Sequence, residues 1–224
     1  MLGAGLTLVG QAEEWKSLFD GKTLQGWEGV KKYWSVEDGA ITGQSEQPVP
    51  YTNFLIYRGG EFADFELVFD YRIYSGNSGV QYRSQEVPAA KSKGKPFRVN
   101  GYQADFDPKN EWSGTLYGQG RGIIAKRGTE TLMKGGKKPA STKAIGDFNE
   151  LAKSIKPAGE WNSYKVVAKG NAIEQYINGV LMSKTVDQDP KKFASSGIIA
   201  LQLHSTKKTG MKVQFKNIKI KELK

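Results

Sequence analysis

The 224-residue chain reads as one all-β domain, a sandwich or a barrel. Runs of strict apolar–polar alternation recur from residue 33 to residue 223. Turn signals fall between neighbouring runs, at Asp38-Gly39, Gly170-Asn171 and Asn178-Gly179. Such tight turns need positive φ, which Gly and Asn accept at the least cost. Helical character is confined to one short stretch, "IGDFNELAKSI" (145–155). With 38% hydrophobic residues and no cysteine, a chain of this length is expected to build its core without disulfides.

The first ten residues, "MLGAGLTLVG", are small and apolar, too short to span a bilayer, and resemble the tail of an export signal. The chain therefore divides into an apolar N-terminal segment, 1–14, and a single domain, 15–224. A mature start near Gln11 is expected, a plain apolar N-terminus being the alternative. "YWSVEDGAITG" (33–43) reads as strand, turn, strand. "FELVFDYRIY" (65–74) sets Phe65, Leu67, Phe69, Tyr71 and Ile73 on one face, the mark of a long half-buried strand. "SGVQYRS" (78–84) follows the turn "SGNSG", and "GYQADFD" (101–107) follows that. Short strands are expected in "SGTLYG" (113–118) and "RGIIAKRG" (121–128). The runs 161–186 form a meander, completed by 197–205 and 211–223. The lysine-rich segments 85–100 and 129–147 read as long loops.

Three of these strands pair an apolar face with an unusual polar one. Tyr102, Ala104 and Phe106 oppose Gln103, Asp105 and Asp107; Val80 and Tyr82 oppose Gln81 and Arg83; Leu201 and Leu203 oppose Gln202 and His204. Amides, carboxylates, an arginine and the chain's one histidine suit a hydroxyl-rich ligand better than bulk water. Trp34 and Trp161, at strand starts, are expected in the core. Trp112, in a polar loop, and Tyr117 are the aromatic rings expected to meet sugar. Arg121, in the Gly-rich turn "YGQGRG", is expected to cap the same face. No helix follows that turn, so it is no phosphate cradle.

Asp105 and His204 are the candidate catalytic pair, as base or acid in either order. Asp105 and Asp107 read as a base and its neighbour, or as ligands for sugar hydroxyls. Paired carboxylates also suit ordinary glycoside hydrolysis. With one His and no Cys a zinc site is not expected, and the two aspartates match no calcium loop. The net charge of +10 invites a nucleic-acid reading. The lysines sit in loop-like runs without a reader motif or basic helix, so attraction to anionic glycans or a cell envelope is the expected partner chemistry.

The ordered set "LFDGKTLQGW" (18–27), "YWSVEDGAITG", "FADFELVFDYRI", "GNSGVQYRS", "GYQADFD", "SGTLYGQGRG", "WNSYKVVAKGNAIEQYINGV", "GIIALQLHS" and "VQFKNIKIKEL" resembles the 3-keto-disaccharide hydrolase domain family over nearly all of 15–223. The resemblance implies a concanavalin-A-like jelly roll of two antiparallel sheets with one short helix at most. It implies a carbohydrate substrate, a periplasmic or secreted location, and a groove holding Gln81, Arg83, Gln103, Asp105 and His204. It also implies cleavage of glycosides already oxidised at C3, by C2 proton abstraction, elimination and hydration. That step calls for no redox cofactor. Within this reading Arg83 and Gln103 are the candidate oxyanion or hydroxyl donors. A non-catalytic carbohydrate-binding module using the same groove is the alternative.

Overall fold

In the computed structural model, which describes residues 14–136 and 138–224, the alternating runs become strands stacked as two sheets. The expected signal segment and the start near Gln11 lie outside the described residues. In chain order the strands are β1 (Lys16–Ser17), β2 (Trp27–Glu28), β3 (Trp34–Glu37), β4 (Ala40–Ser45), β5 (Asn53–Tyr57), β6 (Phe65–Ser75), β7 (Ser78–Glu86), β8 (Val99–Phe106), β9 (Leu116–Gly118), β10 (Gly122–Ala125), β11 (Thr129–Met133), β12 (Ser141–Ala144), β13 (Asn162–Lys169), β14 (Ala172–Ile177), β15 (Val180–Asp187), β16 (Ile198–Leu203) and β17 (Met211–Glu222). A ten-stranded sheet runs β12-β11-β15-β14-β13-β6-β17-β4-β3, with β1 added against β17. A seven-stranded sheet runs β10-β9-β8-β7-β16-β5-β2. Strand pairs are antiparallel apart from β11 on β15, which is parallel.

The segment 129–147 is not the long loop expected from its lysines. Its two ends pair as the β11–β12 hairpin. The helical stretch narrows to α2 (Phe148–Ala152), following a second single turn, α1 (Ala89–Ser92), in the other lysine-rich segment. The Asp147 carboxylate caps α2 by accepting from the N–H groups of Asn149 and Glu150.

The core lies between the sheets. Phe65, Leu67, Phe69, Tyr71 and Ile73 of β6 are buried, as the alternation requires, and so are Val80, Tyr82, Tyr102, Ala104 and Phe106 on the opposite layer. Each such side chain, fully buried, contributes roughly 1.5–3 kcal/mol. Tyr71 stacks on Phe106 with ring centroids 3.9 Å apart. Gln175 of β14 is a polar pin in this layer: its Oε1 accepts from the Tyr164 hydroxyl and its Nε2 donates to the Tyr82 hydroxyl, both at 2.9 Å. A buried amide with its partners met fixes the sheets' relative register without leaving an unpaired group. Trp34 is buried as expected. Trp161 is only half-buried, beneath the Arg72 and Lys216 cations at 4.6 and 4.2 Å.

Candidate functional site

The outward face of the seven-stranded sheet carries the polar residues in rows. Strand register pairs Tyr117 with Gln103 and Gln103 with Gln81. One row further, Asp105 pairs with Gly79, and Gln202 lies beyond the Leu201–Val80 pair on the next strand. The three glutamines join across β8, β7 and β16. Gln103 and Gln202 exchange amide hydrogen bonds of 3.3 and 2.8 Å, Gln81 donates to Gln103 Oε1, and the Ser84 hydroxyl donates to Gln81 Oε1 at 2.9 Å. All three are buried, so they form a satisfied floor.

Gly79 makes this ladder possible. A Cβ at that position would stand 2.6 Å from Gln103 Cγ and 2.7 Å from the Ala104 carbonyl oxygen. The missing side chain lets Gln103 lie across β7 and reach Gln202. Gly79→Ala is expected to cost about 1–3 kcal/mol and to break the Gln103–Gln202 pair. A urea midpoint equal to wild type would show that the floor does not depend on this gap.

Above the floor lies a hollow of about 300 Å³. Gln103, Gln202 and Asp105 line its base, and Asn77, Trp112, Tyr117, Gln119 and His204 its sides. Six residues expected on a shared face therefore meet here: Gln103, Asp105, Trp112, Tyr117, Gln202 and His204. Gln81 sits under the floor rather than in the opening. Asn77 and Gln119 were not anticipated. In the sequence Asn77 is only part of the turn "SGNSG", whereas Gln119 continues the alternation begun at Tyr117.

Asp105 is 5% exposed, and Asn77 Nδ2 donates to its Oδ1 at 2.9 Å. Burial pushes its carboxyl up to about 7, against the hydrogen bonds from Asn77 and Gln103 that favour the charged form; the Asp107 charge adds to the rise. A buried acid that titrates near neutrality can take or give a proton at working pH. His204 is exposed on the rim, its Nδ1 2.7 Å from the Ser205 carbonyl oxygen. Among the described residues no group of three or more His, Cys, Asp or Glu is placed to hold a metal ion.

Asp107 is not on this face, a correction to the alternation. β8 ends at Phe106, and the Asp107 carboxylate turns back to accept from the N–H groups of Lys109, Glu111 and Trp112 at 3.2, 3.2 and 2.7 Å. Arg127, 2% exposed, ties the same loop by donating to the carbonyls of Ser113 and Asn110. The two charges hold Trp112, 40% exposed, at the mouth of the hollow. Asp107→Ala is expected to cost about 1–3 kcal/mol and to weaken ligand binding, while the Asp105 carboxyl, relieved of a like charge but still buried, moves down only in part. A ligand titration against wild type checks it; unchanged affinity would separate the loop from the site.

The two arginines also fall elsewhere. A bulge follows Tyr82, and Arg83 takes φ +43°, so its side chain follows Tyr82 inward instead of alternating outward. Its guanidinium is fully buried and donates to the carbonyls of Ala63 and Gly170, both at 2.7 Å, and to Asp64 Oδ1 at 2.9 Å. Arg121 pairs with Asp187 and Asp189, and the Tyr102 hydroxyl donates to Asp187 at 2.6 Å. Burial would raise the Asp187 carboxyl, but the Arg121 and Tyr102 hydrogen bonds bring it below the usual range. Arg83 and Arg121 line a second hollow, of about 340 Å³, which touches the first at Gln119.

Two stacked sheets with a polar trough on the outer side of the shorter one define a jelly-roll sandwich of the concanavalin-A-like class. Solved structures share the fold: a Parabacteroides distasonis protein of proposed glycosyl hydrolase activity (TM-score 0.61, 23% identity, 98% of this chain and 99% of that one) and the carbohydrate-binding module CBM66 of Bacillus subtilis (TM-score 0.55, 17% identity, 88% and 96%). The β-glucanase of Bacillus licheniformis also superposes, with a TM-score of 0.55 at 9% identity over 94% of this chain and 98% of that one. In sequence, a 3-keto-disaccharide hydrolase of Bacteroides thetaiotaomicron is 27% identical over 97% of this chain and 81% of its own length. The model of the 3-keto-alpha-glucoside-1,2-lyase-like domain matches residues 14–221, and the chain belongs to that family.

Proposed function

We propose that the hollow binds and cleaves glycosides carrying a ketone at C3. One observation carries this reading: a buried carboxyl titrating near neutrality in the base of a sugar-sized opening edged by Trp112. The name of the Bacteroides thetaiotaomicron relative supports the substrate class. A C3 ketone acidifies the C2 proton. The Asp105 carboxylate removes that proton, the electron pair forms the C1–C2 double bond, and the C1–oxygen bond breaks. The departing oxygen takes a proton, for which His204 on the rim is the available donor. Water then adds at C1, C2 regains a proton, and the sum is hydrolysis. Each floor amide of Gln103 and Gln202 uses one N–H within the pair. Gln103 gives its other N–H to Asp105, so the second N–H of Gln202 is the donor for the developing enolate oxygen, a role Arg83 does not fill because its guanidinium is enclosed elsewhere.

Incubation with a 3-keto glucoside, following the released alcohol, tests the proposal. Turnover that rises with pH about a midpoint near 7 is expected. Binding without turnover would favour the second reading, a carbohydrate-binding module. The amide floor alone supports that alternative, since it recognises hydroxyls without chemistry. Export belongs to the proposal as well. It rests on the apolar run 1–10, and fractionation of expressing cells checks it. Among the described residues no helix is long and apolar enough to cross a membrane.

A further inference from the structure

We infer that the second hollow seats the leaving group, and that the substrates are glycosides of aromatic or similarly flat apolar alcohols. The inference rests on the 3-keto-glycoside reading of the first hollow. Gln119 borders both openings, and its N–H donates to the Gly101 carbonyl at 2.8 Å, one row beyond the Tyr117–Gln103 pair. A ligand whose sugar lies over Gln103 and Asp105 thus has its C1 substituent within reach of the neighbouring hollow.

The two linings differ in chemistry. The first is amide, carboxylate, imidazole and ring. The second presents Gly101, Gly118 and Gly120, which lack side chains, together with Tyr102, Ile124 and Ala194, while its polar side chains Gln85, Asn100 and Lys192 are exposed. A second sugar could pair with those exposed side chains, but its hydroxyls over the glycines, Ile124 and Ala194 would go unpaired, which is costly. A flat apolar ring meets that surface without such a loss.

One buried polar atom beside the second hollow has no partner among the described residues. Arg121 has a side chain only 8% exposed, and its Nη atoms are taken by Asp187 and Asp189. Its Nε is buried with no hydrogen-bond partner among the described residues. A buried donor left unpaired calls for an acceptor that arrives with the ligand. An ether, hydroxyl or carbonyl oxygen on the aromatic alcohol supplies one.

Benzyl and methyl 3-keto-glucosides, whose alcohols depart with similar ease, provide the test. Wild-type kcat/KM is expected to be about tenfold or more higher for the benzyl compound, the worth of seating one ring. Ala194→Phe, which fills the hollow from a half-buried position, is expected to abolish the difference. Equal kcat/KM for the two compounds in wild type would overturn the inference while leaving the cleavage reading intact. If neither compound turns over, the cleavage reading fails and calorimetric binding decides. Tighter benzyl binding that Ala194→Phe removes upholds the second hollow, and equal binding overturns it. The wild-type comparison stands if the variant does not fold.

Discussion

Asp105→Asn is expected to lower kcat by about 10²–10⁴-fold, the usual worth of a positioned general base, while ligand binding persists. The amide keeps the shape and the Asn77 contact, so lost turnover would report lost proton transfer. The same variant should change how stability depends on pH. The folded Asp105 carboxyl sits at about 7 and its reference value is 3.8, so the folded protein holds this proton more tightly than the unfolded chain. That contribution is full below about 3.8 and is lost as pH rises through about 7. Wild type should therefore lose stability between pH 4 and 8, by a few kcal/mol at most. Asp105→Asn should lack this component and be the more stable protein at pH 8. Parallel urea unfolding series at pH 5 and pH 8 check the sign, and full turnover in the variant would remove Asp105 from the chemistry.

Arg83→Met should act in the opposite way, on the fold instead of the reaction. Methionine matches much of the arginine stem but cannot satisfy the Ala63 and Gly170 carbonyls or the Asp64 carboxylate. Losing a buried, fully bonded guanidinium is expected to cost about 3–5 kcal/mol. The denaturant midpoint should fall steeply, while the folded fraction keeps its affinity for a ligand confined to the first hollow. Unchanged stability with weakened binding would return Arg83 to the ligand site, contrary to where its hydrogen bonds lie.

These two residues also mark how far alternation carries. It orders β8 correctly: Tyr102, Ala104 and Phe106 go to the core and Gln103 and Asp105 to the outer face. It also brings Gln202 and His204 to that face, because β16 is regular from Ala200 to Leu203. At Arg83 it fails, since nothing in "QYRS" announces a bulge and a left-handed residue. At Asp107 it fails because the strand has ended. There the Asp-Pro pair was a usable turn signal, as aspartate side chains readily fold back onto the backbone that follows. Arg121 could not be assigned from sequence at all: Asp187 and Asp189 lie 66 and 68 residues away and reach it only through the packing of the two sheets. The hairpin within 129–147 was obscured by lysine and glycine content, although its first strand pairs with β15 over five residues.

A base built from two carboxamides and a single carboxyl has an electrical consequence. The ten surplus positive charges of the chain contribute no lysine or arginine to the first hollow, and its attraction for a neutral sugar comes from short-range dipoles. Dissolved ions screen distant charges far more than adjacent dipoles. Affinity for an uncharged glycoside should thus hold nearly constant from dilute buffer to brine, and the proton on Asp105, rather than salinity, should govern whether the trough works.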